Sequence, residues 1–101
     1  MKTIFVYGTL QKDQGNYTSF EMDKKSKYLG RATLYGWKRI SFISLEKVKR
    51  QDEYVCGDVF EINDELEQDI YEFEHSFGYH RELVKPQLIE NAKQIECIVY
   101  I

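Results

Sequence analysis

The sequence predicts an α+β domain built on a small, curved, largely antiparallel sheet, and three observations carry that reading. Short apolar, β-branched and aromatic runs recur along most of the 101 residues. Two of these runs hold an interior glycine, Gly30 and Gly57, as a bulged or strongly bent strand requires. Only one long stretch, from Asp64 to about Glu74 or His75, has the periodicity of a helix. Together they suggest about five to seven strands in a closed or nearly closed barrel, with the helix against its mouth. The length allows a single domain over residues 1–101.

The first strand is Thr3-Ile4-Phe5-Val6-Tyr7, which stops at Gly8-Thr9-Leu10. Gln11 to Ser26 is polar and reads as a loop with a short helix around Ser19 to Lys25. Tyr28 to Tyr35 is the second strand, Gly36 a turn, and Trp37 to Leu45 a third strand of imperfect alternation. The charged segment Glu46 to Glu53 reads as a hairpin tip, followed by the strand Tyr54 to Ile62. Asn63 and Asp64 open the helix, with Asp64 and Glu67 at capping-box spacing, and Gly78 is its stop. Tyr79 to Leu83, Gln87 to Ile89 and Ile95 to Ile101 are further strands, with Pro86 at a strand end and a turn at Glu90 to Lys93.

Composition narrows the function. Hydrophobic residues at 43% and aromatics at 15% are enough for a packed core, and they argue against disorder. The net charge of −3 and the lack of a basic stripe argue against a nucleic-acid partner, although an aromatic-rich barrel stacking single strands is one possible reading. No apolar stretch approaches a membrane span and Met1-Lys2 leads directly into a strand, so the expected location is cytoplasmic. Cys56 and Cys97 sit in apolar runs without C-x-x-C spacing and read as core thiols, with their pairing left open. His75 and His80 lack companions at ligand spacing, so no metal site is expected.

Two places carry chemistry. At the end of the first strand, Gly8 is able to take a positive φ and to let other atoms approach the backbone. The N–H groups beyond it then either complete a plain turn or converge on an anion or a developing oxyanion. On the late helix, at roughly 100° per residue, Leu66, Ile70 and Phe73 define the buried stripe. Glu74 lies about 40° from Ile70, inside the stripe, whereas Glu72 lies about 160° away and faces water. A carboxyl turned toward a core has its pKa raised toward the range a general acid/base needs. The other readings are a helix already frayed at Glu74, or a Glu74 that pairs with Arg81 or caps a loop.

Val6-Tyr7-Gly8-Thr9-Leu10 followed by Asn16 resembles the VYGTL-x5-N signature of the γ-glutamylcyclotransferase-like (AIG2-like) family. Gly30, Tyr35-Gly36, the strand Val55 to Ile62, Ile70-Tyr71-Glu72-Phe73-Glu74 with Tyr79-His80-Arg81, and the closing Ile98 to Ile101 continue the resemblance in order. It implies a small, mostly antiparallel barrel flanked by one or two helices. It also implies Glu74 as the catalytic acid/base, and Tyr7, Gly8, Thr9 and Leu10 as the cradle of a γ-glutamyl group. The chain departs from the family pattern at Tyr71, where an aspartate is usual, and at Asp13, where a glycine is usual, and it is shorter than many members. The first two changes bear on substrate choice more than on chemistry.

The reaction implied is an intramolecular aminolysis that releases 5-oxoproline and a free amine. The nucleophile is tethered within the substrate, so no Ser or Cys nucleophile and no cofactor are needed. The expected partner is a small molecule. The alternative of another class is a non-catalytic barrel that holds a carboxylate-bearing ligand in the same cradle.

Overall fold

The computed structural model describes residues 2–8, 10–12, 14–41, 44–50 and 52–101. Its elements, in chain order, are β1 (Lys2–Val6), α1 (Gly15–Ser19), α2 (Met22–Lys25), β2 (Ser26–Tyr35), β3 (Trp37–Ser41) and β4 (Ser44–Lys47). Then come β5 (Tyr54–Ile62), α3 (Asp64–Ser76), β6 (Arg81–Val84), β7 (Gln87–Leu88) and β8 (Cys97–Tyr100). Six strands form one mixed sheet in the order β6-β8-β1-β5-β2-β7, and β3 with β4 forms a separate hairpin. Only β1 and β8 run parallel, paired at Ile4 and Ile98; the other neighbours are antiparallel.

β6 and β7 occupy opposite edges of the sheet, yet only Lys85 and Pro86 separate them in the chain. Six strands laid flat would put those edges about 24 Å apart at the usual strand spacing. Three residue steps span at most about 11 Å. The sheet is therefore strongly curled, but no ladder joins β6 to β7 among the described residues. The closed ring expected from the sequence is seen only as far as this curl.

Strand alternation sorts the core into two clusters on opposite faces. Phe5, Tyr7, Ala32, Leu34, Val59 and Val99 pack on one face with Trp37 and Leu45 of the hairpin. Ile4, Val6, Phe60, Ile62, Ile98 and Tyr100 pack on the other, under Leu66 and Ile70 of α3 and Met22 of α2. The main helix thus lies across a face of the sheet rather than at a barrel mouth, because its apolar stripe needs a broad apolar surface to cover.

Several boundaries differ from the sequence reading. The expected helix at Ser19 to Lys25 is split, because Glu21 takes a left-handed φ of 53° between α1 and α2. The charged segment assigned to a hairpin tip begins inside β4, where Glu46 pairs with Lys38. The hairpin reverses instead between Ser41 and Ser44, so the single strand expected over Trp37 to Leu45 is two; Phe42 and Ile43 lie outside the described residues. The helix cap is Asn63, whose Oδ1 accepts from the Leu66 N–H at 2.8 Å, and Asp64 is the first helical residue. Glu67 is thereby released from capping and meets Arg81 at 3.2 Å.

The interior glycines have separate physical reasons. Gly30 has φ +137° and sits at a register shift between β2 and β5, the bulge that its position suggested. Gly57 is a matter of space: a Cβ there would lie 2.3 Å from the Val6 carbonyl oxygen and 2.8 Å from Phe5 Cζ. Among the described residues, no helix is long and apolar enough to cross a membrane. Gly57→Ala is expected to cost about 1–3 kcal/mol or more, since the obstacle includes backbone. Gly15→Ala meets nothing within 4 Å and should be neutral or stabilising by up to about 1 kcal/mol. Urea midpoints of the two variants check this; equal midpoints would contradict the crowding at Gly57.

Candidate active site

The end of β1 and the end of α3 meet at a cavity of about 200 Å³. Tyr7, Gly8 and Leu10 line it from one side, with Asn16 from α1. Phe73, Glu74, Phe77 and Tyr79 line it from the helix end, and Tyr100 from β8. Glu74 and three of the four cradle residues named from the sequence thus share one cavity; Thr9 lies outside the described residues, as does Asp13.

The chain beyond β1 is braced on its carbonyl side. Gln11 Nε2 donates to the Tyr7 carbonyl at 2.7 Å and to the Gly8 carbonyl at 3.2 Å. Arg39 donates to the same Tyr7 carbonyl and lies over the Tyr7 ring. The Gln11 N–H closes a turn onto the Gly8 carbonyl at 3.1 Å. Gly30, Gly36 and Gly78 are the described glycines with positive φ, and Gly8 is not among them. The turn after β1 is held from outside by these side chains. Among the described residues, the N–H groups of Gly8 and Leu10 have no acceptor.

Asp58 anchors the far end of this segment, and the sequence reading gave it no role. Its side chain is buried and accepts from the Lys12 N–H at 2.9 Å, the Tyr28 hydroxyl at 2.9 Å and Arg31 at 3.4 Å. Arg31 in turn donates to Gln11 Oε1 at 2.8 Å. The signal was available: Asp58 shares a strand face with Phe60 and Ile62, where an acidic residue must find donors.

On the opposite wall, α3 ends in a Schellman motif. Gly78, with φ +85°, donates to the His75 carbonyl at 3.0 Å, and Tyr79 donates to the Glu74 carbonyl at 3.2 Å. The backbone of Glu74 is thus fixed inside the last turn, so the helix is not frayed there. Arg81 is taken by Glu67, so it does not neutralise Glu74. Glu74 is half-buried, and its carboxyl has no hydrogen bond or ion pair among the described residues. Glu72 points to solvent, where Gln68 donates to it at 3.1 Å. The two glutamates therefore face as the helical period requires.

Burial raises the pKa of the Glu74 carboxyl above its ordinary value. Three phenols share its surroundings. Burial raises Tyr7 far above the usual phenol range, with the charges of Tyr79 and Glu74 adding to it. Burial also raises Tyr79, with Glu74 adding, and pushes Tyr100 up to about 12. All three remain protonated near neutrality. The Tyr7 hydroxyl donates to the Tyr100 carbonyl at 2.8 Å, whereas the buried Tyr100 hydroxyl has no partner among the described residues. Tyr79, Asn16 and Tyr100 belong to the sequence motifs without having been given a role, and Phe77 was not singled out.

Among the described residues, no group of three or more His, Cys, Asp or Glu side chains could hold a metal ion. Both cysteines are free, and burial pushes the Cys97 thiol up to about 11.

The raised Glu74 pKa has a consequence for stability. Below the unfolded-state pKa of about 4.3 the carboxyl is protonated in both states and burial costs no charge. As pH rises through the higher folded-state value, ionisation in a desolvated site removes stability. Glu74→Gln should therefore gain stability over the parent chain as pH goes from about 4 to 8, while Glu72→Gln should not. Urea unfolding across that range checks it, and a pH-independent difference for Glu74→Gln would contradict the burial.

A family model described as gamma-glutamyl cyclotransferase, AIG2-like, matches residues 4–101. No curated protein matches significantly. Among solved structures, a mouse AIG2-like protein is 22% identical with a TM-score of 0.74, and the match covers 99% of this chain and 76% of that one. YkqA of Bacillus subtilis is 21% identical with a TM-score of 0.82, covering 99% of this chain and 35% of YkqA. A protein titled gamma-glutamyl cyclotransferase is 18% identical with a TM-score of 0.71, covering 99% of this chain and 65% of that protein. These structures share the fold, and the match over nearly every residue identifies the sequence: the chain belongs to the AIG2-like gamma-glutamyl cyclotransferase family.

Proposed function

We propose that the protein is a cyclotransferase converting a γ-glutamyl amine or γ-glutamyl peptide to 5-oxoproline and the free amine. The observation that carries this reading is Glu74, a half-buried carboxyl of raised pKa in a cavity lined also by Gly8 and Leu10, whose N–H groups have no acceptor among the described residues. The family model and the neighbour titled gamma-glutamyl cyclotransferase support it.

In this mechanism the γ-glutamyl chain folds in the cavity so that its α-nitrogen lies against the γ-carbonyl carbon. Glu74, ionised, takes a proton from the α-ammonium group. The freed amine attacks, a C–N bond forms, and negative charge develops on the carbonyl oxygen. The N–H groups of Gly8 and Leu10 receive that charge, with the Tyr7 carbonyl held by Gln11 and Arg39 and the Gly8 carbonyl by Gln11. Collapse breaks the original amide C–N bond as Glu74 returns its proton to the departing nitrogen. The second proton of the attacking nitrogen then passes through Glu74 to the released amine, leaving the neutral ring N–H of 5-oxoproline and an ammonium product. One carboxyl serves these transfers because its pKa is closer to neutrality than an exposed glutamate's. Tethering of the nucleophile supplies much of the acceleration.

The reading takes Tyr7, Gly8, Thr9 and Leu10 as the substrate cradle, a small molecule as the partner and the cytoplasm as the compartment; free cysteines are consistent with reducing surroundings. No nucleic acid, membrane or cofactor enters it.

Incubation with a panel of γ-glutamyl amines and dipeptides, with 5-oxoproline release as the readout, tests the proposal. Glu74→Gln should lower turnover by roughly 10²–10⁴-fold with affinity largely kept. Glu72→Gln, on the solvent face, should leave turnover unchanged. No 5-oxoproline from any substrate would leave the non-catalytic binding alternative standing, and full activity in Glu74→Gln would remove Glu74 from the mechanism.

A further inference from the structure

Resting on the cyclotransferase reading, we infer that the leaving group is a neutral, apolar amine, aromatic ones above all, and that Phe77 is the platform that selects it. The cavity is small. About 200 Å³ is below the roughly 300–1,000 Å³ of a site that encloses a drug-sized ligand. It suits a γ-glutamyl group with the amine portion leaving through the opening.

The polar groups of the cavity are few and mostly neutral. Among the described lining residues they are the backbone at Gly8, the side chains of Asn16 and Glu74, and the hydroxyls of Tyr7, Tyr79 and Tyr100. The rest of the wall is hydrocarbon and ring: Val6, Leu10, Phe73 and Phe77, with the ring faces of Tyr79 and Tyr100. Glu74 is the only charged side chain among the described lining residues, and no Lys, Arg or His lines the cavity. A γ-glutamyl dipeptide would bring a second carboxylate past Glu74 with no cation among the described lining residues to receive it. Arg81, the nearest arginine in sequence, is held by Glu67. A neutral amine carries no such cost.

Phe77 is unusual for an aromatic side chain, 66% exposed at the cavity wall. It does not stand alone. Its ring meets Phe73 edge-on at 5.1 Å, and Phe73 meets Phe20 edge-on at 5.2 Å. The row runs from the α1–α2 junction to the cavity edge, backed at Phe77 by the glycine-closed helix end. A ring held on a fixed backbone and left uncovered is poised to take a second ring at little ordering cost.

Steady-state kinetics on γ-glutamyl-benzylamide, γ-glutamyl-methylamide and γ-glutamylglycine test this. The benzylamide should exceed the methylamide in kcat/KM by about 10–100-fold, the range expected for covering one aromatic ring, and γ-glutamylglycine should rank last. Phe77→Ala should lower the benzylamide-to-methylamide ratio about tenfold, Phe77→Trp should preserve it, and Ile89→Ala, an exposed apolar residue outside the cavity, should change nothing. A ratio near one, a ratio that survives Phe77→Ala, or γ-glutamylglycine as the best substrate would overturn the inference while leaving the cyclotransferase reading intact. Absence of 5-oxoproline from all three, and from the wider panel, would overturn that reading and this inference with it.

Discussion

A carboxylate buried in a sheet has to collect donors, and much of the site follows from how Asp58 does so. Left unpaired in a low-dielectric interior, an ionised side chain costs several kcal/mol. Asp58 meets that requirement with the Tyr28 hydroxyl and Arg31 of β2 and with the Lys12 N–H of the segment that leaves β1. One side chain on β5 thus ties the loop to two strands. Arg31 carries the connection on to Gln11, and Gln11 reaches back to the Tyr7 and Gly8 carbonyls. The segment that lines the cavity is consequently held by its Tyr7 and Gly8 carbonyls, and among the described residues the Gly8 and Leu10 N–H groups have no acceptor.

The opposite wall depends on a different kind of constraint. A helix can present a carboxyl to a cavity only if its end is fixed, because the last turn otherwise frays. Here the Gly78 turn fixes it, and the same turn brings Phe77 and Tyr79 against the cavity beside Glu74. The bracing of the loop and the closing of the helix are independent in sequence and converge at one place. Burial of Glu74 then follows from its phase on α3, and its raised pKa follows from burial.

What was legible in the sequence was whatever a local period or a glycine's restricted chemistry dictates. The opposite facing of Glu74 and Glu72 comes from the 3.6-residue period alone. The bulge at Gly30 and the helix stop at Gly78 come from conformations that other residues resist. Elements whose placement depends on distant partners were not legible. β3 and β4 pair with each other, Trp37 opposite Lys47 and Arg39 opposite Leu45, so their reversal comes before the charged segment rather than in it. The break at Glu21 uses a left-handed non-glycine residue, which propensity disfavours. Asp58 could be placed on an apolar face by alternation, but its donors come from residues as far as 46 positions away in the chain.

The central claim is that one half-buried carboxyl moves the proton in this cavity. The most direct measurement is the pH dependence of kcat/KM for an active γ-glutamyl amide, set beside an NMR titration of the Glu74 side-chain carboxyl in the free protein. In the proposed mechanism Glu74 is ionised when it takes the ammonium proton. The rate should therefore rise with pH along the same curve on which Glu74 titrates, with a midpoint above the ordinary glutamate value. A rate that stays flat while Glu74 titrates, or a Glu74 that titrates like an exposed glutamate, would contradict the account.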